Sequence, residues 1–245
     1  MALANLSIEA NKITFSANIT GSNSNSLRIL SKTHILNTNA TSITTQGGNV
    51  LFASNVDDLT DGETINNGYI QLRNGITINS NGGNTTFGGG NTTGSDYAFG
   101  SSAEDYTEGV RFDMVISLNS GGGDISIRGK SYNRAVQTGF GESGIGFYFF
   151  SSATGVINSG SGKITIDGYS QTSGSSYSSG FYSMHNINIS SSNTTADAIR
   201  IFVKATGNSG EAWGIETEST FSVISTDSPT IIASSPSSTQ LDTTK

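Results

Sequence analysis

One phrase recurs along this chain, and a repeat constrains a fold more tightly than composition does. A glycine-rich turn followed by an alternating strand occurs as "GGNVLFAS" from Gly47, "GGNTTFGG" from Gly82, "GGDISIRG" from Gly122 and "GSGKITIDG" from Gly160. Looser copies are "NKITFSA" at Asn11, "DAIRIFV" at Asp197 and "PTIIAS" at Pro229. The first strand position is then Ile13, Val50, Thr85, Ile125, Ile164, Ile199 and Ile231, separated by 37, 35, 40, 39, 35 and 32 residues, a period of about 36. Two residues on comes a second inward column (Phe15, Phe52, Phe87, Ile127, Ile166, Ile201, Ala233), with mostly polar residues between, as a strand with one wet face requires.

Each repeat holds two further phrases in fixed order. One is an alternating run opening near a glycine: "GYIQLR" at Gly68, "GVRFDM" at Gly109, "GIGFYFF" at Gly144, "GFYSMH" at Gly180 and "GIETES" at Gly214, with "SLRIL" at Ser26 as the first copy. The other runs back to the turn, as in "ITINSNGG" from Ile76 and "VISLNSGGG" from Val115. Three short strands per repeat, turns of Gly, Asn and Ser, and no amphipathic helical window predict an all-β fold. The architecture expected is a single-domain, right-handed, three-sided parallel β-helix of about six coils over residues 1–233, with 234–245 as a disordered tail or linker.

Composition agrees. Only 13% of residues are charged and 33% hydrophobic, bulk numbers close to those of disordered chains, yet the Ile, Val and Phe stand in short alternating runs that can bury a core. A net charge of −7 gives no overall attraction for nucleic acid, and no apolar stretch approaches the roughly 18 residues of a membrane-spanning helix. There is no cysteine, so disulfides, thiolate metal sites and a cysteine nucleophile are excluded.

Alignment of the repeats turns columns into neighbours. Asp124 with Lys163, Arg128 with Asp167 and Arg73 with Asp113 are expected to pair across adjacent coils, and Asn79, Asn119 and Asn158 to form an amide ladder along the rod. Gly139, Gly141 and Gly144 meet the G-x-G-x-x-G spacing of a dinucleotide loop, but a strand-like aromatic run follows Gly144 where a helix is needed, so no cofactor is expected. Gly144 reads instead as the bend shared with Gly109, Gly180 and Gly214. His34 and His185 lie in different coils without partners at metal spacing. The acidic run Asp57 to Glu63 collects hard oxygen ligands suited to calcium but does not fit the twelve-residue calcium loop, and a solvated loop accounts for it equally.

The candidate ligand-binding face is Arg111, Asp113, Tyr148 and Tyr182. These residues fall on outward positions of the second strand, where tyrosines can stack on sugar rings or on a partner. Arg111 and Asp113 beside Arg73 and Tyr148 also make the one acid–base constellation of the kind a polysaccharide lyase or glycosidase uses, although such an enzyme wants several converging carboxylates.

At "GGNVLFAS", "NGITINSNGGNTTFGGG" and "LNSGGGDISIRG" the chain resembles the repeat regions of filamentous-haemagglutinin-like exoproteins, secreted adhesins of Gram-negative bacteria exported by two-partner secretion. The resemblance is one of repeat style over residues 9 to 235, and it carries over no functional residue. It implies a right-handed β-helix, an extracellular or cell-surface location, a place within a longer chain, no cofactor, and a structural or adhesive role toward host or environmental glycans or surface proteins. A polysaccharide-active β-helix is the alternative.

Overall fold

The computed structural model describes residues 5–56, 68–101, 107–132, 144–150, 153–171, 178–206 and 212–234, and these form a three-sided parallel β-helix. Sheet A stacks Leu6–Ala10, Leu27–Ser31, Val50–Ser54, Thr85–Gly89, Ile125–Lys130, Ile164–Ser170, Ile199–Ala205 and Thr230–Ser234, in that order. Sheet B stacks Ile13–Phe15, Ile35–Asn37, Ile70–Leu72, Val110–Asp113, Ile145–Phe150, Ser178–Ser183 and Ala212–Thr217. Sheet C stacks Ile19–Thr20, Thr41–Thr44, Ile76–Asn79, Ile116–Asn119, Gly155–Asn158, Ile187–Ser191 and Phe221–Ser225. The chain therefore makes seven A–B–C coils and begins an eighth, one more than the sequence period predicts. At the spacing of hydrogen-bonded strands, seven coils make a rod about 34 Å long.

The extra coil comes from the N-terminus. Leu6 pairs with Leu27 and Leu27 with Val50, so the first two copies of the sheet A strand begin at Leu6 and Leu27. "SLRIL" is thus a sheet A strand, and Ile13, placed by the period in the same column as Val50, belongs to sheet B beside Ile35. At the other end Ile231 faces Ile201, not Ile199. The intervening register from Val50 through Thr85, Ile125 and Ile164 to Ile199 is as the sequence columns have it.

The inward columns are Ile, Leu, Val and Phe, nearly all fully buried. A line of phenyl rings runs through the core: Phe15, Phe52, Phe87, Phe112, Phe147, Phe181 and Phe221, each 5.0 to 5.8 Å from the next. The line moves between sheets. Phe52 and Phe87 come from sheet A, but where that column turns to Ile127, Ile166 and Ile201, sheet B supplies Phe112, Phe147 and Phe181. A close-packed interior conserves volume per coil, and it does not matter which side of the coil provides the ring.

The corner from sheet C to sheet A is the most uniform part of coils 2 to 5. Thr45, Ser80, Ser120, Ser159 and Ser191 are buried there. Thr45 Oγ1 donates to the Gly48 carbonyl at 2.6 Å, Ser80 Oγ to Gly83 at 2.5 Å and Ser159 Oγ to Gly162 at 2.6 Å, and Ser120 Oγ donates to Gly123 likewise. Those acceptors are the last glycines of the turn. A β-carbon on Gly83 would stand 2.1 Å from the Gly48 carbonyl oxygen, and on Gly162 2.0 Å from that of Gly123. The glycine is required because the coil below passes through the space a side chain would fill.

A side-chain ladder does run along the rod, but at the far end of the corner, five residues on from where the sequence puts it. Asn5 Oδ1 accepts the Ser26 amide, Ser26 Oγ that of Asn49, Asn49 Oδ1 that of Asn84, Asn84 Oδ1 that of Asp124 and Asp124 Oδ1 that of Lys163, all at 2.8 to 3.0 Å. Asp124 and Lys163 are neighbours, as expected, but the contact is side chain to backbone. Asn119 and Asn158 instead close local turns on Gly121 and Gly160.

Candidate functional site

Sheet B presents outward the column Gln71, Arg111, Tyr148, Tyr182 and Glu216 in successive coils. The structure brings all four predicted residues together. Arg111 Nε donates to Asp113 Oδ1 at 2.8 Å, and Arg73 Nε to Asp113 Oδ2 at 3.2 Å, the pairing read from the columns. The Arg111 guanidinium lies 4.6 Å above the Tyr148 ring, and Tyr148 stacks on Tyr182 with centroids 5.3 Å apart and planes 13° from parallel.

Glu108, which sequence columns miss, completes the cluster. Its Oε1 accepts from Arg111 Nη1 at 3.0 Å and its Oε2 from Gln71 Nε2 at 3.1 Å. Burial pushes the Glu108 carboxyl above its ordinary pKa, against the pull of Arg111. Burial also disfavours charge on Arg111, but the hydrogen bond to Asp113 and the Glu108 carboxylate more than offset it, and the guanidinium is held charged. Two cations and two carboxylates thus satisfy one another. The available signal was the E-x-x-R spacing of Glu108 and Arg111, which brings both onto one corner of the strand.

Outward does not mean open on this face. Tyr148 is 5% exposed, Tyr182 3% and Asp113 6%, and the two tyrosines form a satellite apolar cluster with Ile145 and Met184. Tyr148 OH donates to Met184 Sδ at 3.1 Å, and Tyr182 OH donates to Glu218. The sequence expectation of solvent-facing rings is corrected here: the tyrosine faces are spent on each other and on Arg111.

The other corners place the remaining candidates. Gly144 has a positive φ of 92°, but the residue aligned with Gly109, Gly180 and Gly214 is Gly146, two positions on. A β-carbon on Gly129 would lie 2.1 Å from the Gly146 carbonyl oxygen, and on Gly168 2.1 Å from that of Gly180. These glycines let sheets A and B touch backbone to backbone where the chain crosses from one to the other. Gly139, Gly141 and Asp57–Glu63 lie outside the described residues. Among the described residues no three His, Asp or Glu gather at metal-binding distance. His34 stacks on Tyr69 at 4.7 Å, and His185 meets Phe150 edge-on at 5.8 Å.

Sheet A carries a second constellation. Its outer surface over coils 5 to 7 pairs Arg128 with Asp167 and Phe202 in one column and Lys130 with Tyr169 and Lys204 in the next. Lys130 Nζ lies 5.1 Å and Lys204 Nζ 5.6 Å from the Tyr169 ring centre, and Arg200 sits 4.7 Å over Phe202. Arg128 and Asp167 are register neighbours, yet Arg128 Nη1 donates to the Ser95 carbonyl at 3.2 Å and Asp167 Oδ1 accepts from Tyr97 OH at 2.8 Å. Sheet C differs again: its outer positions, from Ser42, Thr44 and Thr77 to Asn158, Asn188 and Ser190, carry no charge.

The class defined by these sheets and ladders is a parallel β-solenoid with three chemically distinct faces. No family model, curated protein or solved structure matches the chain.

Proposed function

We propose that this chain is a non-catalytic, load-bearing and adhesive β-helical segment of a large secreted or cell-surface bacterial protein. The observation that carries the reading is the continuity of its axial bonding. Backbone ladders on three sides, the hydroxyl bonds that Thr45, Ser80 and Ser120 send to the Ser80, Ser120 and Ser159 carbonyls of the next coil, and the Asn5-to-Lys163 ladder all run along the axis, so a pull along it loads many hydrogen bonds at once. Repeat style resembling that of exported adhesins supports an extracellular setting. Single-molecule pulling between the first and last coils tests the reading. A rod holds and then yields in force peaks, whereas smooth extension without a peak overturns it.

The Glu108, Arg111, Asp113 and Arg73 cluster favours one second reading, a polysaccharide-active β-helix, because it sets a carboxyl of raised pKa beside a fixed guanidinium. That reading requires new sugar ends to appear when the protein meets a panel of polysaccharides, and Asp113→Asn to abolish them. If the wild-type protein cuts nothing in the panel, this second reading goes.

A further inference from the structure

We infer that the outer face of sheet A over coils 5 to 7 binds a linear polysaccharide bearing carboxylates on its sugar rings. This deepens the adhesive reading and rests on it. The strands of this face hold Arg128, Lys130, Arg200 and Lys204, four of the twelve Lys and Arg in a chain of net charge −7, and one carboxylate, Asp167, with Asp96 of the preceding loop near enough to act on it. Among the described residues, none of the four cations makes an ion pair with a carboxylate. Asp167 is held by Tyr97 from the preceding loop. The cations lean on rings instead: Lys130 and Lys204 flank Tyr169, Lys130 also lies 5.2 Å from Phe99, and Arg200 covers Phe202.

The geometry suits a sugar chain. Lys130 and Lys204 are two coils apart, about 9.6 Å, with the Tyr169 ring between them, so a carboxylate can reach either ammonium while a pyranose ring packs against the open edge of the tyrosine. Arg200 and Lys204 are exposed, and Tyr169 and Phe202 half-buried, which leaves both heads and ring edges accessible. Residues 90 to 97 wall the patch on its coil 4 side, with Arg28 bonded to the Thr92 carbonyl and Gly94 over Leu51 and Thr86, and Ser95 and Tyr97 reach the patch itself.

Charge density decides among polyanions. Duplex nucleic acid presents one charge per ~1.7 Å and is won by dense basic clusters, which a net-acidic chain with cations ~7 to 14 Å apart does not offer. Heavily sulfated glycans likewise carry more charges per ring than the patch can match. A uronic acid polymer, with one carboxylate every ring or two, fits the spacing, and the Arg200 fork is suited to a planar carboxylate.

The test is binding of the full chain to immobilised polygalacturonate, with dextran, heparin and single-stranded DNA in parallel. Wild-type protein is expected to bind polygalacturonate and not dextran. Lys130→Gln with Lys204→Gln should weaken it at least tenfold, and Tyr169→Leu several-fold, with recovery in Tyr169→Phe. Lys12→Gln with Lys32→Gln removes the same charge elsewhere and should leave binding unchanged. Far-UV circular dichroism and melting confirm that each variant folds. No binding to polygalacturonate, equal loss in both double variants, or tighter binding to heparin or DNA would each overturn the inference. The rod reading is judged separately, by the force peak, so either can fail without the other.

Discussion

The first two coils and the coils that follow solve the same problem at different lengths. Sheet A starts recur at Leu6, Leu27 and Val50 in the N-terminal part, then at Thr85, Ile125, Ile164 and Ile199. In coils 3 to 5 most of the difference lies at one corner, and in coils 6 and 7 longer strands supply most of it. From sheet A to sheet B the early coils use residues 11–12 and 32–34, whereas later coils use 55–69, 90–109 and 131–144, shortening again to 171–177 and 206–211. The corner from C to A keeps its hydroxyl and glycine through coils 2 to 5. The bare coil is therefore the structural unit, and the long insertions of coils 3 to 5 are carried at the A–B corner, where they cost little closure entropy and where solenoids display binding loops.

The sharpest test of that asymmetry is a single methyl at the C–A corner. Gly83→Ala drives its β-carbon to 2.1 Å from the Gly48 carbonyl, backbone that cannot step aside, and should cost more than about 4 kcal/mol or abolish folding. Its neighbour Gly82 has a φ of 107° with open space around the β-carbon position, so Gly82→Ala should cost only the backbone strain, about 1–3 kcal/mol. Urea melts of the two variants compare them directly. Equal losses would show that the turn, not the stacking, sets the glycine pair.

A smaller loss is expected from Ser120→Ala. It removes the hydroxyl donated to Gly123 in the middle of the ladder and leaves a buried carbonyl short of a partner, for about 1–3 kcal/mol. Thermal denaturation measures it. A neutral result would mean that the ladder marks the corner without holding it.

Shortening an insertion should cost less again. The A–B excursion of coil 3 leaves and returns at one point: a β-carbon on Gly68 would lie 2.2 Å from that of Asn55. Deleting residues 57–67 and joining Val56 to Gly68 gives a corner close to that of coil 2. Stability should change by about 1 kcal/mol or less, because loop closure varies slowly with length. Failure to fold would break the comparison, since the insertions would then belong to the unit.

The same asymmetry explains what could be read from the sequence. Three phrases in fixed order gave the three sides, and alternation gave the inward columns from Val50 to Ile199, because every insertion-bearing coil repeats them. The N-terminal coils were misplaced because a constant period was imposed on coils lacking the insertion, which moved Ile13 from sheet B to sheet A and "SLRIL" from A to B. The Arg73–Asp113 pair was legible because the two stand in register at the ends of paired strands, Arg73 just after Ile70–Leu72 and Asp113 closing Val110–Asp113. Glu108 was not, since it sits at the end of a long excursion whose return point no periodicity fixes. For the same reason the outward direction of Tyr148 and Tyr182 was readable and their burial was not: cover depends on which side chains fold over them, here Arg111 from the same column and Met184.

An effect of similar size that depends on pH falls in the short corner of coil 2, where His34 packs flat on Tyr69 and its Nε2 is buried without a protein partner. Burial, helped by nearby Lys12, lowers its pKa from 6.5 to about 4. The folded state thus favours the neutral ring while the unfolded chain takes up a proton near pH 6.5. The resulting stabilisation is fully present above that pH and lost as pH falls through the window down to about 4. Half exposure screens the effect, leaving about 1 kcal/mol. Melting curves at pH 7 and pH 4.5 for wild-type protein and His34→Gln should show a steeper decline in the wild type, the carboxylates titrating alike in both. Parallel declines would mean that solvent reaches the imidazole freely, so that a corner of three residues does not seal the coil it closes.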